Sequence, residues 1–169
     1  EGLFHSCRID EVAGAVRAIQ QRYRPRKLLI AGFSLGGNFA LRVALRAPTA
    51  DIDLAYAFAV CPPLDPAASL RQIEIAPWMY ERYFIAKWTE SLKRKQALYP
   101  HLYDFSTWLK KPTLRDLTAR MVEHYTDYAK LDDYFNGYSI AGDRLAALSI
   151  PATIVTAHGF IERGKLDKL

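Results

Sequence analysis

Residues 27–38 read KLLIAGFSLGGN, and the reading of the whole chain turns on them. A short apolar run, Leu28-Leu29-Ile30, ends in Gly32-Phe33-Ser34-Leu35-Gly36, and a helix-forming run over 38–46 follows at once. Strand, one tight turn carrying a serine, then helix is the pattern of a nucleophile elbow. A serine at the tip of such a turn needs a strained backbone. Gly32 and Gly36 are expected to lack the Cβ atoms that would clash where strand and helix approach. The amino end of the helix aims backbone N–H groups at negative charge developing near Ser34 Oγ, and the N–H of Leu35 is the expected first oxyanion donor. A G-x-S-x-G match also arises by chance, so the strand before it and the helix after it carry the reading. A phosphate-binding loop fits less well, because no Lys-Ser or Lys-Thr pair follows the glycines and no G-x-G-x-x-G run is present.

Upstream, Ile9, Val12, Val16, Ile19 and Tyr23 recur at spacings of three and four, one stripe of a helix that Pro25 stops. Ser6 or Asp10 stands near its start. In the helix after the elbow, Phe39, Leu41, Ala44 and Leu45 form the apolar side, and Arg42 and Arg46 are expected on the wet side. Residues 52–60, IDLAYAFAV, are apolar without clean alternation, as in a parallel strand covered on both faces. Helix, strand, turn, helix, strand is a βαβ-type succession, so an α/β fold with a mostly parallel sheet is expected.

Cys61-Pro62-Pro63-Leu64-Asp65 breaks the pattern. Aromatics then become dense, among them Trp78, Tyr80, Tyr83, Phe84, Trp88, Tyr103, Phe105 and Trp108, amid helix-forming stretches with no convincing strand. Leu114, Leu117, Met121 and Tyr125 draw a helical stripe, and 132–138 forms a further short helix. Residues 65–145 read as a helical lid whose aromatics wall an apolar pocket and limit water near the serine, or else as the core of a small helical subdomain. Residues 151–157, PATIVTA, return to strand. The expected organisation is a core with the elbow over 1–64, the lid over 65–145, and a return to the core sheet over 146–169, interrupted near 157/158.

Among 169 residues, 23 basic against 18 acidic side chains give a net charge of +5. The basic residues are dispersed apart from 87–95 and the pair Lys110 and Lys111, so nucleic-acid binding is not indicated. Two cysteines, Cys7 and Cys61, give neither a disulfide framework nor a zinc signature, and no cofactor or metal is expected. No apolar run reaches about 18 residues and no basic-then-apolar leader opens the chain, so no membrane span and a cytoplasmic setting are expected. With no initiator Met and a helix starting within the first ten residues, the chain reads as a piece of a longer protein, its strand-rich portion lying before residue 1.

The order of several motifs resembles the YheT-like branch of the α/β-hydrolases, a family of esterases. The matching pieces are Leu3-Phe4-His5-Ser6, Gly32 through Asn38, Cys61 through Asp65, Tyr80-Glu81-Arg82-Tyr83-Phe84 with Arg94-Lys95, Asp132-Asp133-Tyr134-Phe135 with Ser139, and Ile150-Pro151-Ala152-Thr153. The resemblance implies an α/β-hydrolase core with a helical lid insertion, and a Ser-Asp-His triad in that chain order. Ser34 matches the nucleophile. Family members continue after the last of these strands with an acid-bearing loop and reach a histidine loop tens of residues later. Here Ala157 runs directly into His158-Gly159-Phe160, which places His158 as the expected catalytic histidine if residues are missing at that junction.

The implied chemistry is covalent acyl transfer: attack of Ser34 on an ester carbonyl, a histidine as base, and no cofactor. The substrate is a small-molecule ester of small to medium acyl length. No triad acid stands out. Asp167 follows His158, and Asp132 and Asp133 read as exposed or capping carboxylates. His5, His101 and His124 read as structural or surface residues, and Cys61 as a small buried hydrophobe. The alternative is an impaired hydrolase-like scaffold that binds a partner through the lid.

Overall fold

The structure, a computed structural model, describes residues 2–156. The elements run α1 (Ile9–Tyr23), β1 (Leu28–Phe33), α2 (Leu35–Arg46), β2 (Leu54–Val60), α3 (Pro66–Ile75), α4 (Trp78–Leu98), α5 (Leu114–Tyr125), α6 (Leu131–Tyr138) and β3 (Ala152–Val155). The strands pair in parallel in the order β1-β2-β3, so the class is α/β. The chain divides into two compact units. One holds residues up to Pro66 and from Asn136 onward, and the other holds Ala67–Phe135.

In the first unit α2 packs on β1 and β2, and α1 packs against α2. Ile9 and Ala13 of α1, Phe39, Val43 and Ala44 of α2, and Leu54 and Ala57 of β2 share one core. Each fully buried aliphatic side chain there contributes about 1.5–3 kcal/mol. The stripe expected on α1 is cut short. Ile19 and Tyr23 are exposed, and Ala13 takes the inner position. Neither Ser6 nor Asp10 caps α1, since Arg8 is the N-cap and makes no side-chain cap bond.

The loss of alternation in β2 has a local cause. Leu28 pairs with Leu54 but Leu29 pairs with Tyr56, so one extra residue is accommodated in β2. That bulge lets Leu54, Ala57 and Ala59 all face inward. The expectation of cover on both faces does not hold among the described residues. Leu29, Phe33, Phe58 and Val155 are exposed, because α1 and α2 lie on one side only. On the open face the Tyr56 and Thr153 hydroxyls bridge β2 and β3 at 2.6 Å.

The second unit is helical. Thr113 and Asp116 cap α5 reciprocally: Thr113 Oγ1 accepts from the Asp116 N–H at 3.0 Å, and Asp116 carboxylate accepts from the Thr113 N–H at 3.0 Å. Those two bonds, to the Thr113 backbone first, hold the Asp116 carboxyl below its ordinary range. α4 packs on α5, with Glu81 accepting from the Leu114 N–H at 3.0 Å. The aromatics divide into two sets. Tyr103, Phe105 and Trp108 nest with Tyr125, ring centroids 5.1–6.1 Å apart for Phe105 with Trp108, Tyr103 and Tyr125. Burial there raises the Tyr125 phenol above its ordinary range. Trp78, Tyr80, Tyr83 and Phe84 stand exposed instead.

Candidate active site

Ser34 occupies the single residue between the end of β1 and the start of α2. Its backbone has φ 49° and ψ −124°, a conformation that L-residues avoid and that costs about 1–3 kcal/mol. Two bonds hold it there. The Ser34 N–H donates to the Val60 carbonyl at 2.8 Å, and the Ser34 carbonyl accepts from the Asn38 N–H at 3.1 Å.

Serine at this place would ordinarily cap the helix, its hydroxyl accepting from the second or third N–H. Ser34 is the N-cap of α2 yet makes no side-chain cap bond, and the residue is exposed. The hydroxyl is thus free of the task its residue type usually performs. The Leu35 N–H begins the helix, and no acidic residue lies in the first turn to offset the positive end of the helix dipole.

Glycine makes this crossing, though at a different pair of positions from the one expected. A Cβ on Gly32 would lie 2.2 Å from the Gly36 carbonyl carbon and oxygen and 2.6 Å from the Gly37 nitrogen. A Cβ on Gly37 would lie 3.0 Å from the Gly32 oxygen and 3.3 Å from the Ala59 Cβ. A Cβ on Gly36 would meet nothing within 4 Å. Gly36 therefore contributes its backbone to the contact, while Gly32 and Gly37 contribute their missing side chains.

The first turns of α2 are tied down by a buried polar network. Asn38 is fully buried, and its Nδ2 donates to the Pro63 carbonyl at 3.0 Å and the Tyr138 carbonyl at 2.9 Å. Arg42 donates to Asn38 Oδ1 at 3.4 Å and to the Ser6 carbonyl at 2.7 Å. Arg42 is only 5% exposed, so its expected place on the wet side is wrong: it reaches back one turn to Asn38 and across to the loop before α1. The segments after β2 and after α6 are thereby fastened to the helix that begins at Ser34. Sequence reasoning missed this network. Its signal is an asparagine and an arginine four residues apart inside an otherwise apolar helix, where each needs a partner.

Cys61 follows β2 as Ser34 follows β1, and Phe33 pairs with Val60. Both therefore stand at the carboxyl end of the sheet, where ligands of open parallel sheets bind. Cys61 is exposed, not buried as expected, with φ 47° and its N–H donating to the Val155 carbonyl at 2.7 Å. An open recess of about 280 Å³ lies at the opposite end of β1, lined by Gln20, Arg24, Leu28 and Asp53.

Of the histidines, His5 accepts the Cys7 N–H through Nδ1 at 3.3 Å, and His124 stacks on Trp108 at 5.5 Å between ring centroids. Asp132 and Asp133 lie exposed in the first turn of α6, a position that suits the helix dipole. His158, Asp167 and the 157/158 junction lie outside the described residues. Among the described residues no group of three or more His, Cys, Asp or Glu side chains could hold a metal, and no helix is long and apolar enough to cross a membrane. Compared with models of protein families, with curated proteins and with solved structures, the chain matches none.

Proposed function

We propose that the protein is a serine hydrolase with an α/β-hydrolase core, cleaving carboxylic esters of small to medium acyl chains. The observation that carries this reading is the backbone of Ser34. A strained, exposed serine whose hydroxyl does not cap its own helix has a conformational cost with no structural return.

In the reaction, Ser34 Oγ attacks the ester carbonyl while a histidine takes its proton; the tetrahedral oxyanion rests against the Leu35 N–H. Collapse expels the alcohol, which receives that proton, and water then hydrolyses the acyl-enzyme. The resemblance of the chain to YheT-like esterases supports His158 as the base. The triad acid is left unassigned. The exposed, aromatic α4 supports a lid that accepts the acyl chain.

The test is labelling of folded protein with a fluorophosphonate, read by mass at the peptide containing Ser34, alongside hydrolysis of p-nitrophenyl acetate and butyrate. Labelling of the wild type, lost in Ser34→Ala together with an activity drop of about 10⁴-fold or more, is the expected result. Folded protein that resists the probe and hydrolyses neither ester, or Ser34→Ala protein that keeps its esterase rate, overturns the proposal. The first of these outcomes would favour the non-catalytic scaffold.

A further inference from the structure

We propose that the corner between α3 and α4 is a docking wedge for an anionic phospholipid bilayer. α3 ends at Ile75 and α4 begins at Trp78, so only Ala76 and Pro77 join them. Ile75 is 76% exposed, Trp78 70% and Met79 59%, and Tyr80 and Tyr83 on the following turn are exposed as well. A two-residue corner between helices is convex. It presents these side chains outward rather than lining a groove that another helix could fill.

The charge around the corner is of one sign once its acids are accounted for. Glu74 is held by Arg115 through two bonds, Nε to Oε1 at 2.7 Å and the second guanidinium nitrogen to Oε2 at 2.8 Å. Glu81 is occupied by the Leu114 N–H at 3.0 Å. Arg71, Arg82 and Lys87 remain, all exposed, with Arg82 lying 5.6 Å over the Trp78 ring and Lys87 3.7 Å from Glu90. An exposed tryptophan with aliphatic neighbours and flanking arginines matches the interfacial zone of a bilayer, where an indole sits at the headgroup level and basic side chains meet anionic headgroups. A second copy of the chain fits less well, since docking corner to corner would set Arg71, Arg82 and Lys87 against their own kind. The inference is independent of any role for Ser34.

The test uses the whole chain with vesicles of phosphatidylcholine containing about one-third phosphatidylserine, and with pure phosphatidylcholine vesicles. The protein is expected to sediment with the anionic vesicles, to release in 0.5 M salt, and to show tryptophan quenching by lipid brominated in the upper acyl chain. Trp78→Phe should lose most of that quenching while still binding. Arg71→Glu with Arg82→Glu should weaken partitioning at least 25-fold, from about fivefold for each basic charge removed. Ile75→Ser, Trp78→Ser and Met79→Ser together should abolish binding without moving the melting temperature, because all three side chains are largely exposed. Absence of sedimentation with anionic vesicles overturns the proposal, as does binding that survives the triple substitution. A lipid-independent dimer that the triple substitution dissolves also overturns it, and assigns the corner to self-association.

Discussion

Replacing Gly32 with alanine tests the strand–helix crossing that positions Ser34, and Gly36→Ala provides its internal control. At Gly32 the new methyl would stand 2.2 Å from the Gly36 carbonyl carbon and oxygen, more than an ångström short of ordinary contact, and every obstructing atom belongs to backbone. No side chain can swing away, so β1 and α2 must separate. Overpacking of this kind costs about 1–3 kcal/mol, and a backbone obstacle places it at or above the upper end. For a chain of this length, about 3 kcal/mol lowers the melting temperature by about 6–12 °C. Gly36→Ala meets nothing within 4 Å and lies in the first turn of α2, so it should be neutral or stabilise by up to about 1 kcal/mol through helix propensity. Far-UV circular dichroism melts of the three proteins decide the matter, and fluorophosphonate labelling of the same samples reports whether Ser34 has moved. A Gly32→Ala protein melting within 2 °C of wild type, or a Gly36→Ala protein that falls equally far, would refute the reasoning.

Ser34→Gly should stabilise the fold by about 0.5–2 kcal/mol, because glycine relieves the positive φ of 49° at the cost of more unfolded-state freedom. A lower denaturation midpoint than wild type contradicts this. Asn38→Ala removes the donor to the Pro63 and Tyr138 carbonyls and should cost about 2–4 kcal/mol by urea denaturation; an unchanged midpoint would show that the network does not hold the loops. Glu74 has a carboxyl held below its model value of 4.5, first by the hydrogen bond from Arg115 and then by the charges of Arg115 and Arg71. With the folded value depressed, its stabilisation is present above the unfolded value and is lost as pH falls through the folded one. Arg115 is nearly half exposed, so Glu74→Gln should cost no more than about 1 kcal/mol at pH 7, and the difference should shrink towards zero in acid. A deficit that stays constant from pH 7 to pH 3 would assign the effect to packing.

The sheet and helix order was legible because its signals are local. The turn at Ser34, Pro25 after α1 and Thr113 with Asp116 at the start of α5 each act within a few residues. The α/β class and the parallel strands followed from that succession. What escaped reading depends on contacts far apart in the chain. The bulge in β2 is set by its pairing with β1, and no feature of residues 52–60 alone announces it. Arg42 looked like a surface residue because its acceptors, the Ser6 carbonyl and Asn38 Oδ1, come from the loop before α1 and from one turn back. Gly36 and Gly37 are adjacent, and only the three-dimensional crossing shows which of them lacks room for a side chain. Of the candidate site, the serine and its turn were readable from the motif, whereas the polar network behind them was not.

The bond from Arg42 to the Ser6 carbonyl makes the segment ahead of α1 a strut for a helix that starts almost thirty positions later. A protease cut between Ser6 and Ile9 would leave every atom of the Ser34 turn in place. Yet it would let α2 rock on its second turn, so that damage at one extremity is felt at a hydroxyl the cleavage never touches.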